Sequence, residues 1–123
     1  MNRTRIALAT LVAPALAVTL AACGKDTTGG GNSPAEPLKI AIHVTGDTVD
    51  PNGTRIDVQH GQLIELDVTA DAPGEIHVHS DPEQEFEYQA GTTKLTLTPI
   101  DKPGVVAVES HTLDKTIVQL AVN

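Results

Sequence analysis

Two short stretches hold the residues best suited to chemistry: Glu75-Ile76-His77-Val78-His79 and Glu109-Ser110-His111. In an extended strand, side chains alternate between faces, and residues two apart lie roughly 6.5–7 Å from each other on the same side. His77 and His79 therefore project together, with Glu75 behind them. Glu109 and His111 form a second same-face pair if the strand continues that far. Imidazole and carboxylate donors suit zinc, Cu(II) or iron. Should the two strands adjoin, four or five such groups converge. Each stretch also has an ordinary reading. Alternating histidines decorate many solvated strands, and a strand turns polar where it runs into a loop. Taken singly, such pairs are more often exposed surface than ligands, so the case for a metal rests on the two taken together.

The remaining polar groups are less specific. His43 reads as the polar face of a strand, and His60 as part of a turn before Gly61. Asp81, Glu83, Glu85 and Glu87 read as a solvated acidic strand face. Their functional alternative is a weak oxygen site for a hard cation, without the D-x-D-x-D-G spacing of a calcium loop. There is no G-x-S-x-G elbow, phosphate loop or dinucleotide fingerprint. Ser80 and Ser110 neighbour His79 and His111 in sequence, but adjacent strand residues face opposite ways and cannot pair as nucleophile and base.

The elements that must position these groups are strands. Apolar residues alternate with polar ones in Leu38-Ile40-Ile42-Val44, Ile56-Val58, Ile64-Leu66-Val68, Ile76-Val78, Phe86-Tyr88, Leu95-Leu97 and Val118-Leu120-Val122. The unbroken run from Val105 to Val108 reads as a strand buried on both sides. Turn signals such as Gly46-Asp47, Asn52-Gly53, Pro73-Gly74, Asp81-Pro82 and Pro103-Gly104 separate the runs. About eight short strands at near-regular spacing predict an antiparallel sandwich or barrel. Ile40, Ile64, Leu66, Val78, Phe86, Leu97, Val106 and Leu120 are the expected core.

Upstream of this domain the chain reads differently. Arg3 and Arg5 precede an apolar run from Ile6 to Leu20, which ends in Leu20-Ala21-Ala22-Cys23-Gly24. A basic start, a short apolar middle and small residues at a cut site form a secretory signal peptide. The run is shorter than the roughly 20 residues that span a bilayer. Cys23 after small residues resembles a bacterial lipobox, which implies removal of residues 1–22 and a diacylglyceryl group on the Cys23 sulfur. Residues 24–37, GKDTTGGGNSPAEP, then form a flexible tether. The expected organisation is a leader at 1–22, a lipidated cysteine and tether at 23–37, and one domain at 38–123.

Charge and composition narrow the partners. The chain has 8 Lys+Arg against 16 Asp+Glu; loss of Arg3 and Arg5 leaves six against sixteen, a formal charge of −10. So acidic a surface lacks the basic footprint needed for nucleic acid. With Cys23 the only cysteine, no disulfide can form within the domain, and Phe86 and Tyr88 are the only aromatics of the Phe, Tyr and Trp type. Aliphatic packing must carry the fold.

Residues 38–123 resemble a cupredoxin-like domain, in particular the small EfeO-type domains and related actinobacterial lipoproteins. The resemblance rests on Lys39-Ile40-Ala41-Ile42, Gly61-Gln62 leading into Ile64-Glu65-Leu66, Glu75-Ile76-His77-Val78-His79, Ala90-Gly91 leading into Leu95-Thr96-Leu97, Lys102-Pro103-Gly104 and Glu109-Ser110-His111. It implies an all-β Greek-key sandwich. A blue-copper site uses two His, one Cys and a weak axial ligand, often Met. By the resemblance His77 stands at the first His, Glu109 near the Cys, and His111 close to the second His. No Cys is available for the thiolate, since Cys23 is the lipidated residue, and the only Met, Met1, leaves with the leader. The resemblance therefore implies either a colourless site built from His77, His79, Glu109 and His111, or a fold without a metal.

The reading is of a non-enzymatic lipoprotein on the extracytoplasmic face of the cell membrane. It would bind copper, or alternatively zinc or iron, through His and Glu, with the membrane as partner through Cys23. The alternative is a metal-free interaction module that holds a protein partner at the cell envelope.

Overall fold

The computed structural model describes residues 36–123, so the leader, Cys23 and most of the tether lie outside the described residues. Nine strands follow one another: β1 (Leu38–Thr45), β2 (Thr48–Asp50), β3 (Thr54–Val58), β4 (Ile64–Ala70), β5 (Gly74–Val78), β6 (Gln84–Tyr88), β7 (Gly91–Leu97), β8 (Gly104–Ser110) and β9 (Lys115–Val122). They form a four-stranded sheet, in the order β2-β1-β4-β7, and a five-stranded sheet, in the order β3-β9-β8-β5-β6. The fold is the all-β sandwich expected from the period-two pattern.

Burial follows the alternation residue by residue. In β1, Ile40, Ile42 and Val44 face inward while Lys39, Ala41 and His43 are exposed. In β4, Ile64, Leu66, Val68 and Ala70 are buried. In β5, Ile76 and Val78 are fully buried, which forces Glu75 and His77 to the outer face. The inward residues of both sheets make one core, which is aliphatic except for Tyr88.

Four features depart from the sequence expectation. The sandwich is not purely antiparallel: β1 pairs with β4, and β3 with β9, in parallel. A period-two pattern reports which face is buried and carries no information on strand direction. The short β2 was not anticipated, because three residues with a single buried Val49 make no periodicity. The Val105 to Val108 run is not buried on both sides: Val105 is 55% exposed and only Val106 and Val108 are buried. In a two-layer sandwich an outward residue has no third layer to cover it. Lastly, Phe86 is only half-buried, and Tyr88, at 2% exposure, is the aromatic that fills the core. Tyr88 stands opposite Gly74, whose missing side chain leaves room for the ring, whereas Phe86 stands opposite Ile76.

Candidate metal centre

The outer face of the five-stranded sheet is set by register. β5 pairs with both β6 and β8 so that Glu85, His77 and Glu109 lie side by side, and β9 adds Thr116 opposite Glu109. One row across four strands thus reads acid, imidazole, acid, hydroxyl. His79 lies one residue beyond β5, yet its N–H donates to the Ala107 carbonyl at 2.9 Å and continues the ladder. His111, one residue beyond β8, likewise donates to the Glu75 carbonyl at 3.0 Å. The backbone under each histidine is therefore part of the sheet.

The side chains converge on this frame. The rings of His77 and His79 have centroids 4.4 Å apart. His79 Nε2 lies 2.9 Å from Glu109 Oε2, and the Thr116 hydroxyl donates to the other Glu109 oxygen at 3.1 Å. His77 Nε2 lies 3.2 Å from Glu83 Oε2 and 3.9 Å from Glu85 Oε1. Glu83 Oε1 is 3.5 Å from His79 Nδ1. One ligand atom from each of His77, His79 and Glu83 lies within 4.8 Å of the others. A tetrahedral ion with bonds near 2.0–2.1 Å holds its donors roughly 3.4 Å apart, and each imidazole sits at about that distance from its own oxygen of Glu83, 3.2 Å to Oε2 and 3.5 Å to Oε1.

Glu83 was not among the residues singled out as ligands by sequence. It sits in the turn between β5 and β6, within the acidic stretch that reads as solvated surface. The turn is fastened from below. The buried Ser80 hydroxyl donates to the Pro82 carbonyl at 2.7 Å and accepts from the Gln84 amide at 3.0 Å. The same Gln84 amide grips Thr98: its oxygen accepts the Thr98 N–H at 2.7 Å and its nitrogen donates to the Thr98 carbonyl at 3.2 Å. Lys102 pairs with Asp81 on the outside of the turn. A serine four residues before a glutamine, with a proline between them, is the only trace of this device in the sequence.

His111 stands at the margin. Its ring lies 6.3 Å from that of His77, and its Nδ1 is 3.8 Å from Glu75 Oε1. It lines the same shallow depression as His77, His79, Glu109, Ser110 and Asp114. His43 is exposed on the outer face of the other sheet, opposite Asp50 and Thr69, and His60 is exposed in the turn before Gly61. A wider groove, lined by Glu36, Asp57, Val58, Gln59, Gln62 and Asn123, contains no imidazole.

Proximity shifts two protonation equilibria. The hydrogen bond to Glu109 raises the pKa of His79 above that of a free imidazole; partial burial opposes this, and the charges of Glu109 and Glu83 add to it. The same bond to His79 lowers the pKa of Glu109, with Thr116 assisting and desolvation opposing. A blue-copper ligand set does not fit this site, since no cysteine or methionine occurs among the described residues. An imidazole and carboxylate set does fit: hard and borderline donors for a divalent ion in water-accessible surroundings.

No family model matches the sequence, and no curated protein matches it. Solved structures do match its fold. Auracyanin A, a blue copper protein from Chloroflexus aurantiacus, superposes with a TM-score of 0.53 at 14% identity, over 71% of this chain and 99% of that one. A multi-copper oxidase from Pediococcus acidilactici superposes with a TM-score of 0.50 at 15% identity, over 78% of this chain and 27% of the oxidase. The two packed sheets, on which auracyanin A superposes over nearly its whole length, make this an all-β sandwich of the cupredoxin fold.

Proposed function

We propose that this chain is a lipid-anchored extracytoplasmic protein whose cupredoxin-like domain binds a divalent transition metal on the outer face of its five-stranded sheet, without enzymatic activity. Copper is the first candidate, with zinc or iron as alternatives. One observation carries the reading: donor atoms of His77, His79 and Glu83 lie within 4.8 Å of one another, with Glu109 and His111 beside them. The two compared proteins are copper proteins by their descriptions, which supports copper as the ion to try first. The lipobox sequence around Cys23 supports the anchor, and the anchor supports a place at the cell membrane. The EfeO-type and actinobacterial resemblance supports a role in handling envelope copper or iron.

Bound Cu(II) would supply a tetragonal centre of nitrogen and oxygen ligands, without the intense blue band that a thiolate gives. The test is titration of the full chain with Cu(II), followed by electron paramagnetic resonance and absorption. We expect one equivalent to bind with a tetragonal spectrum of mixed nitrogen and oxygen ligation, and His77→Ala to weaken it most among the histidine variants. A folded chain that takes up no copper, zinc or iron at micromolar concentration overturns the reading and leaves the metal-free interaction module in its place.

A further inference from the structure

The two nitrogens of His79 face two different carboxylates, and this divides the work between them. Nε2 points at Glu109 at 2.9 Å, a carboxylate already held by the Thr116 hydroxyl at 3.1 Å. A carboxylate only accepts, so Nε2 is the nitrogen that carries the proton. The lone pair of a neutral His79 is then on Nδ1, and Nδ1 faces Glu83 Oε1 at 3.5 Å. Two acceptors meet there. Such a pair is stable only with a cation, a proton or a metal ion, between them. The second oxygen of Glu83 faces His77 Nε2 at 3.2 Å, so one carboxylate spans both imidazoles.

We infer that Glu109 is a positioning residue and not a ligand: it fixes His79 in the Nε2–H tautomer and turns Nδ1 toward the ion, while Glu83 supplies the carboxylate ligand. This assignment rests on the metal-binding reading above. Thr116 completes a chain from β9 through Glu109 on β8 to the histidine beyond β5. Metal-bound histidines generally donate their second N–H to such a partner, and loss of the partner costs about 10–100-fold in affinity. Glu83 then differs from Glu85 and Glu87 of the same acidic stretch in function as well as in place.

The test uses zinc as a diamagnetic probe on the full chain labelled with 15N. Long-range proton–nitrogen correlation at a pH where the imidazoles are neutral reads the tautomer directly. His79 is expected as Nε2–H, with the Nδ1 resonance moving when zinc is added and the Nε2–H retained. Variants separate positioning from ligation. Gln at position 109 keeps an oxygen to accept from His79 and can donate its amide N–H to the Thr116 hydroxyl, which accepts as readily as it donates, so Glu109→Gln should hold zinc within about threefold of the parent, whereas Glu109→Ala should lose about 10–100-fold. Glu83→Gln and Glu83→Ala should both lose zinc, because the ligand charge is gone in each. Equal losses for Glu109→Gln and Glu109→Ala overturn the assignment, as does His79 found with its proton on Nδ1. A parent chain that binds no metal overturns the metal reading itself. The tautomer in that same sample still decides, by itself, whether Glu109 orients His79.

Discussion

Gly74 opens β5, and a single methyl group there should be costly. A Cβ built on Gly74 would lie 2.3 Å from the Tyr88 hydroxyl oxygen, 2.6 Å from Tyr88 Cζ and 3.1 Å from the Thr112 hydroxyl oxygen. The first two separations are below any real carbon contact, so the tyrosine must move. Tyr88 is 2% exposed and is the largest fully buried side chain, so its ring has nowhere to swing without opening the core. Gly74→Ala also stiffens the unfolded chain, which favours folding by about 0.4–1 kcal/mol. Overpacking a filled core costs about 1–3 kcal/mol. The second effect wins, and we expect a net loss of about 1–2 kcal/mol, or about 5–15 °C in Tm for a domain of this size. Urea denaturation of the parent and variant checks the sign and size. Tyr88→Phe in the Gly74→Ala background removes the nearer obstacle and leaves Cζ, so the double-mutant cycle should show a favourable coupling above about 0.5 kcal/mol. Thr112 accepts the Glu75 N–H at 3.1 Å and adjoins His111, so displacing it should also shift the Glu75 and His111 resonances. A Gly74→Ala chain as stable as the parent, or more so, refutes the packing argument.

Three other outcomes follow from the same structure. Tyr88→Ala should cost about 3–5 kcal/mol and the half-buried Phe86→Ala clearly less, by denaturant titration; the reverse order would mean that the flank at β6 is misassigned. In the metal-free chain, His79 contributes stability through its raised pKa, fully present below its unfolded pKa of about 6.5 and lost as pH climbs through the folded value. His79→Ala should therefore destabilise more near pH 5.5 than near pH 8.5, where Glu109, with its lowered pKa, is ionised in both cases; an effect that grows with pH would contradict the pairing. Cys23→Ala should leave the chain without its lipid and out of the detergent phase, since anchoring needs acyl chains worth about 0.8 kcal/mol per methylene; undiminished partitioning would remove the lipobox from the account.

The sandwich and much of the site were legible because alternation is a local signal. Ile76 and Val78 turn inward, and His77 must then turn outward, whatever the rest of the chain does. The pairing of β5 with β8, which brings Glu109 beside His77, was an expectation from the family resemblance that no single stretch contains. Glu83 was illegible for a physical reason. It approaches the histidines because the chain reverses between β5 and β6, and the direction of a turn residue depends on what fastens the turn, here Ser80 and Gln84. Phe86 and Tyr88 share a face and a chemistry; what tells them apart is the partner in β5, where Tyr88 lies over Gly74 and Phe86 stands opposite Ile76. The parallel pairs were hidden because burial is blind to the polarity of the chain.

The parallel pairing of β3 with β9 constrains the order in which the molecule can be assembled. β3 borders only β9, with Thr54 opposite Val118. Five strands, β4 to β8, are made between them. Until β9 arrives, β3 has no ladder to join and β8 lacks its neighbour on that side, so both carry open hydrogen-bonding edges. Contacts this distant in sequence close late and slowly, in the millisecond to second range typical of all-β domains. β9 is also the most thoroughly covered of the strands, with Ile117, Val118, Leu120, Ala121 and Val122 all buried. Its docking is thus the step that seals one sheet and completes the core together, and the domain must stay open until residues 115–122 are in place.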